Sequence, residues 1–165
     1  MIDMEKTGLT EKTVATNRRA RHEYHILENF ECGLVLLGYE VKSIRQGRVN
    51  IQDAYGAVRG DEAFIENMHV SPYSHGDLRV IDPLRTRKLL LRRKQIDYLL
   101  GKTREKGLTL VALRLYLKGP HVKIEMGLGR GKKLYDKRED IAERDAMRDI
   151  ERATKGKSRR PAREN

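Results

Sequence analysis

The sequence predicts a β-rich α+β protein: a small OB-like closed barrel of about six strands, with flanking helices and a basic C-terminal tail. Three observations carry that prediction. Short apolar runs, several with period-two alternation, recur between residues 24 and 128 and are separated by turns rich in Gly and Pro. Glycines stand inside or beside those runs, where a strand that curls needs a bulge or a close backbone approach. From residue 131 onward the chain is dense in charge and has almost nothing to bury. Periodicity alone gives a small β-rich α+β domain; closure into a barrel is inferred from strand number and domain size.

The totals bound the reading. A chain of 165 residues suits one domain plus extensions. With 38% hydrophobic and 36% charged residues, a modest core lies under a heavily charged surface. The formal net charge of +11 favours a polyanionic partner, most commonly nucleic acid. An anionic membrane is the competing partner, but there is no apolar run of the roughly 18 residues a spanning helix needs. Residues 1–16 are polar, lack the apolar stretch of a signal peptide, and read as a flexible N-terminal arm. Cys32 is the only cysteine, which excludes an intrachain disulfide and points to a reducing cytoplasm.

In chain order, Asn17 to His22 is a basic cluster, either a solvated lead-in to a strand or a collar of phosphate contacts. Tyr24, Ile26 and Phe30, then Leu34 to Leu37, read as a strand, with Gly33 as a bulge or close approach. Within it Glu31 is either an ordinary exposed carboxylate or an acceptor for a base edge or a neighbouring Arg. Residues 38–48 read as a short helix between two glycines, with Gly47 just past its end and Lys42, Arg45 and Arg48 facing out. Residues 50–58 lead into a second strand, 59–62 form a hairpin turn, and 63–65 return as a third strand. Residues 68–79 read as a loop, with His69 and His75 in or near it.

Next comes the densest positive block of the body: Arg85, Arg87, Lys88, Arg92, Arg93 and Lys94, with no acid among them. Residues 95–105 form an amphipathic helix with Ile96, Leu99 and Leu100 on one face, ended by Gly107. Residues 108–118 give the strongest strand signal and predict a change of face midway, from Leu108, Leu110 and Ala112 to Leu113, Leu115 and Leu117. Gly119-Pro120 turns the chain, and 121–128 pairs back. Gly127, Gly129 and Gly131 are expected to loosen the backbone before the tail. The organisation is therefore an arm at 1–16, a domain at 17–130 and a tail at 131–165. Five histidines and scattered acids form no metal spacing, P-loop or nucleophile–base pair, so no metal, cofactor or catalysis is expected.

Four stretches carry a family resemblance: NRRARHEY at 17–24, FECGLVLLGYEVKSIRQGRVNIQDAY at 30–55, DPLRTRKLLL at 82–91 and GKKLYDKRED at 131–140. In this order they resemble the small protein B family, the SsrA-binding proteins of bacterial trans-translation. The resemblance implies an OB-type barrel with an appended helix and a basic tail, and no catalytic activity. It implies that the barrel binds the tRNA-like end of transfer-messenger RNA. With elongation factor Tu and GTP, the complex reaches ribosomes stalled on messages without a usable stop codon. By resemblance the RNA-contact face comprises Arg19, His22, Tyr24, Glu31, Lys42, Arg45, Leu90 and Arg92. Arg92 stands where the family often has Asn or His, which fits a phosphate contact in place of a base contact. By the same resemblance Gly131, Lys132, Lys133, Tyr135, Asp136, Lys137 and Arg138 probe the decoding centre and empty mRNA channel, against 16S ribosomal RNA. The tail is expected to become helical there, with Asp140–Arg144 and Asp149–Arg152 pairs biasing it. Residues 139–153 are expected to supply enough charge to lie in a phosphate-lined channel. A general RNA-binding or ribosome-associated protein remains open on composition alone.

Overall fold

The structure is a computed structural model and describes residues 9–72, 82–105 and 107–157. The chain divides at Gly131/Lys132 into two units. In the first unit the elements are β1 (Glu11–Thr16), α1 (Arg18–Glu23), β2 (Tyr24–Leu34), α2 (Gly38–Arg45), β3 (Val49–Asn50), β4 (Tyr55–Arg59) and β5 (Glu62–Glu66). There follow β6 (His69–Val70), β7 (Arg87–Leu90), α3 (Arg93–Thr103), β8 (Leu108–Lys118) and β9 (His121–Gly131). The second unit is α4 (Leu134–Lys157) and its flanks.

Seven strands form one antiparallel sheet in the order β1-β8-β4-β5-β7-β2-β9, and β8 also pairs with β9. The pair β3–β6 stands apart as a two-stranded ladder. The fold is thus mixed and sheet-rich, with helices at its flanks. The main core draws Ile65, Leu89, Leu110, Leu115, Ile124 and Met126 from four of these strands, with Ile44 from α2 and Leu99 from α3. A smaller cluster of Ala20, Val111 and Leu113 seats α1 on β8. The main cluster takes Leu108, Leu110 and Ala112 and then Leu115 and Leu117, the change of face read in the sequence, but Leu113, expected with the last two, joins Val111 in the smaller cluster. The β8–β9 register slips between Ala112 and Arg114, so Ala112 opposes Met126 while Arg114 opposes Glu125. One extra residue in a strand turns the following side chains over.

Several expectations change. Residues 11–16 of the supposed arm are β1, which pairs with β8 from Glu11↔Lys118 to Thr16↔Arg114. Its alternation is weak because β1 buries only Val14 and Ala15 in part. The basic cluster at 18–23 is the short helix α1 and not a strand lead-in. Asn17 caps it: the Asn17 Oδ1 accepts from Ala20 N–H at 3.1 Å. Its Nδ2 donates to the carbonyls of Ala112 at 2.9 Å, Gln52 at 3.2 Å and Ile51 at 3.3 Å. One buried amide therefore ties α1, β8 and the 51–54 turn together. His69 and Val70, expected in a loop, pair with Asn50 and Val49. Residues 73–79 of that loop, with His75, lie outside the described residues, as do 1–8 of the arm and the tip beyond 157.

The glycines divide in a similar way. Gly47 ends α2 at φ +75°, with Gly47 N–H bonded to Ile44 O and Arg48 N–H to Ser43 O, the double closure of a Schellman turn. Gly33 allows close approach: a Cβ there would lie 3.1 Å from Leu90 Cβ. The irregularity of β2 falls between Ile26 and Glu28 instead. Gly127 and Gly129 do not loosen the chain. They are buried within β9, which runs on to Gly131 opposite Tyr24, and a Cβ on Gly127 would sit 2.8 Å from Leu113 Cδ1.

Four residues of the positive block, Arg85, Arg87, Lys88 and Arg93, are opposed after all, by acids distant in sequence. Glu40 is fully buried and receives Leu37 N–H at 2.9 Å and the guanidinium groups of Arg85 and Arg87. Arg87, 1% exposed, also donates to the carbonyls of Met68 at 2.6 Å, Arg85 at 3.1 Å and Pro83 at 3.2 Å. Burial pushes the Glu40 carboxyl up, but Arg85, the Leu37 amide and Arg87 outweigh it and hold it below the usual range. Lys88 pairs with Glu62 at 2.7 Å and Arg93 with Asp61 at 3.1 Å. Glu40 from GYEVKSIRQG and both arginines from DPLRTRK thus meet in one buried ionic cluster.

Candidate nucleic-acid interface

The body residues singled out from sequence fall into three places. Arg19 and Tyr24 line a groove of about 220 Å³ with Glu23, Asp53 and Tyr55. Ala20, Ala54 and Val111, all buried, give it a small apolar lining. Tyr24 lines it from the junction of α1 and β2, and Tyr55 from the start of β4. Arg19 is exposed but already engaged, with Glu23 at 2.8 Å and Asp53 at 3.7 Å. Tyr55 donates to Glu66 at 2.5 Å, and that acceptor also receives Arg59. His22 lies half-buried on α1.

Glu31, Leu90 and Arg92 line a second, wider groove of about 600 Å³. The pairing of Gly33 with Leu90 brings β2 and β7 together there, and Leu90 projects with 51% of its surface exposed. Arg92 precedes α3, whose first turn it closes by donating its backbone N–H to Gln95 Oε1 at 3.1 Å. Sequence reading did not single out Lys123, Asn29 and Gln95, which complete this groove. Lys123 looked like a routine outward residue of an alternating strand. Its place comes from cross-strand register, opposite Gly33 on one side and Tyr116 on the other.

Glu31 has neighbours of its own. It accepts from the Tyr116 hydroxyl and from Lys118 Nζ at 3.2 Å. Desolvation pushes its carboxyl up, yet Tyr116, Lys118 and Lys123 together hold it below the usual range. Glu125 stands directly opposite on β9, and Arg114 at 3.3 Å relieves that like-charge pair. Beside it, burial and then the Glu31 charge push the Cys32 thiol up to about 12, so it stays protonated and unreactive. Lys42 and Arg45 occupy a third place, the exposed face of α2.

The tail motif is split between the two units. Gly131 is the last residue of β9. In the second unit Asp136 accepts Lys133 N–H at 3.1 Å, which closes the first turn of α4 and sets an acid at the positive end of the helix. Lys132 pairs with Asp140. Tyr135 is 69% exposed, and its bond to Glu139 pushes its hydroxyl up. Lys137 is half-buried and Arg138 exposed.

Beyond them α4 carries charge of both signs. Between 139 and 153 the acids Glu139, Asp140, Glu143, Asp145, Asp149 and Glu151 outnumber Arg144, Arg148 and Arg152. That stretch does not supply net positive charge. The helix arranges it instead: Lys137, Arg144, Arg148, Arg152 and Lys155 share one side by their spacing. Asp149–Arg152 pairs at 3.7 Å as expected, while Arg144 Nε donates to the backbone carbonyl of Asp140.

Among the described residues no group of three or more His, Cys, Asp or Glu is placed to hold a metal. No described helix is long and apolar enough to cross a membrane.

The model of the SmpB protein family matches residues 14–156. An SsrA-binding protein of Carboxydothermus hydrogenoformans is 54% identical over 147 residues, covering 89% of this chain and 99% of the relative. One from Desulforudis audaxviator is 55% identical over 148 residues, covering 90% and 97%. A chain of the solved structure described as "tmRNA-SmpB: a journey to the center of the bacterial ribosome" superposes with a TM-score of 0.62 at 45% identity, covering 73% of this chain and 85% of that one. The chain belongs to the SmpB protein family.

Proposed function

We propose that the protein binds the tRNA-like domain of transfer-messenger RNA and delivers it to stalled ribosomes for trans-translation. The observation that carries this reading is the pair of open grooves on the body, each walled by groups that recognise unpaired RNA. One is lined by two tyrosines; the other has a carboxylate, a projecting leucine and cations. Non-helical RNA is read by stacking, exposed base edges and phosphates, which these groups supply. The relatives named SsrA-binding protein and the solved complex support the same RNA and the same ribosomal setting.

The finer reading follows the strand pairings. The circuit β8-β4-β5-β7-β2-β9, rejoined by β9–β8, is an OB-like closed barrel. The body grips the RNA through Arg19, His22, Tyr24, Glu31, Lys42, Arg45, Leu90 and Arg92. Contact with elongation factor Tu and GTP is indirect, through that RNA. Gly131, Lys132, Lys133, Tyr135, Asp136, Lys137 and Arg138 read the decoding centre, and α4 lies in the mRNA channel with its basic side on ribosomal RNA phosphates. Contacts to phosphates carry no sequence information, which suits a message that ends anywhere. The protein works in the cytoplasm as a binding protein and not as a catalyst.

Competition binding at about 150 mM salt tests this. The tRNA-like domain of transfer-messenger RNA should bind at least about tenfold more tightly than an elongator tRNA, a difference of about 1.4 kcal/mol. Equal affinities would leave only a general RNA-binding protein.

A further inference from the structure

We propose that Tyr116 is a positioning residue for RNA recognition, holding the Glu31 carboxylate so that its remaining lone pairs accept from the amino group of an unpaired base in the groove. This rests on the reading of the Glu31 groove as an RNA site. Tyr116 itself is 2% exposed and touches no RNA. It alternates with Arg114 and Lys118 along β8, opposite in facing to Leu115 and Leu117, and sets its hydroxyl on Glu31 Oε2. Its ring is fixed by the Arg114 guanidinium, 4.1 Å from the ring centre. Lys118 reaches the same carboxylate from two residues along β8, at 3.2 Å and 3.4 Å.

A carboxylate offers about four acceptor sites, and these two donors leave at least one on Oε1. A surface glutamate has several rotamers; one locked from below presents a fixed acceptor, and locking lowers the entropy lost on binding. The groups that face Glu31 are Tyr116 and Lys118 of β8 and Lys123 and Glu125 of β9, with Arg92 in the same groove. Lys118 and Lys123 help keep the carboxylate ionised, and Tyr116 is the neutral donor bonded to it. Removing that hydroxyl should raise the carboxyl's proton affinity as well as loosen it.

The test is RNA affinity of the full chain between about pH 3.5 and 8 for wild type, Tyr116→Phe, Glu31→Gln and the double variant, a range that reaches below the ordinary carboxylate value where the Glu31 limb lies. Tyr116→Phe should weaken binding about five- to tenfold at pH 7. Binding that needs the carboxylate should be lost at a higher pH than in wild type, because loss of the hydroxyl raises the Glu31 pKa. Glu31→Gln should remove that limb, and the double variant should bind no more weakly than Glu31→Gln. Replacing Tyr116 with 3-fluorotyrosine, a stronger donor of the same shape, should move the acid limb the other way and guards against a Phe variant that misfolds. If Glu31→Gln weakens binding while Tyr116→Phe and the fluorotyrosine leave affinity and pH limb unchanged, Tyr116 does not position Glu31. Additive losses in the double variant contradict the proposal equally. If Glu31→Gln binds like wild type, Glu31 contacts no base, and the RNA reading of that groove fails first.

Discussion

The body and the C-terminal helix spend similar residues in opposite ways. In the body, the charges of two of the motifs by which the family is recognised turn inward. Glu40, Arg85 and Arg87 meet under α2, where each depends on the others to stay ionised. In α4 every residue from Ile141 to Gly156 is exposed, and the helix is supported by pairs such as Arg148–Asp145, Arg152–Asp149 and Lys155–Glu151. Such pairs contribute about 0.2–0.5 kcal/mol each. A recognisable charged motif is therefore no guide to whether its charges touch a partner; burial decides that. Glu40, Arg85 and Arg87 are structural, while Lys42 and Arg45 of the same motif stretch and Arg138 of the tail stay exposed to a partner.

The largest expected effect tests that contrast directly. Glu40→Gln or Arg87→Met should cost about 3–5 kcal/mol of stability in urea unfolding, because each leaves a buried charge without its partner. Changing Lys133, Lys137 and Arg138 together to Gln should alter body stability by less than about 0.5 kcal/mol. The cluster also predicts a pH window. The folded Glu40 carboxyl lies below its ordinary range, so its contribution is whole above an unfolded pKa of about 4.3 and fades as pH falls through the folded value. The stability gap between wild type and Glu40→Gln should narrow on that acid side.

Next in size is Asn17→Ala, which strands carbonyls of the 51–52 turn and uncaps α1. It should cost about 1–3 kcal/mol and disturb the groove at Tyr24. The smallest effect belongs to α4: Asp149→Ala should lower tail helicity by circular dichroism, by about 0.2–0.5 kcal/mol, with body unfolding unchanged.

What the sequence made legible was local. The change of face in β8, the Gly47 stop and the buried side of α3 all follow from spacing within a dozen residues. What it hid depends on distant partners. The positive block looked unopposed because Glu40 lies 45 residues from Arg85 and 47 from Arg87. β1 was missed because an edge strand that buries only two residues in part has no period to show. Gly127 and Gly129 looked like slack because the side chains that press on them come from Leu113, Tyr24 and Ile26. The site followed the same rule. Glu31, Leu90 and Arg92 were nameable one by one, but register alone puts them, with Lys123, around one groove. Tyr116 was invisible as a partner of Glu31, being 85 residues away.

The most direct measurement of the account compares the full chain with one ending at Gly131, which keeps β9 whole. Affinity for the tRNA-like domain of transfer-messenger RNA and peptide tagging on stalled ribosomes are measured for both. The account predicts affinities within about threefold, under about 0.7 kcal/mol, and loss of tagging in the shortened chain. A loss of tenfold or more in RNA affinity, or tagging that survives without α4, would contradict the division of labour between body and tail.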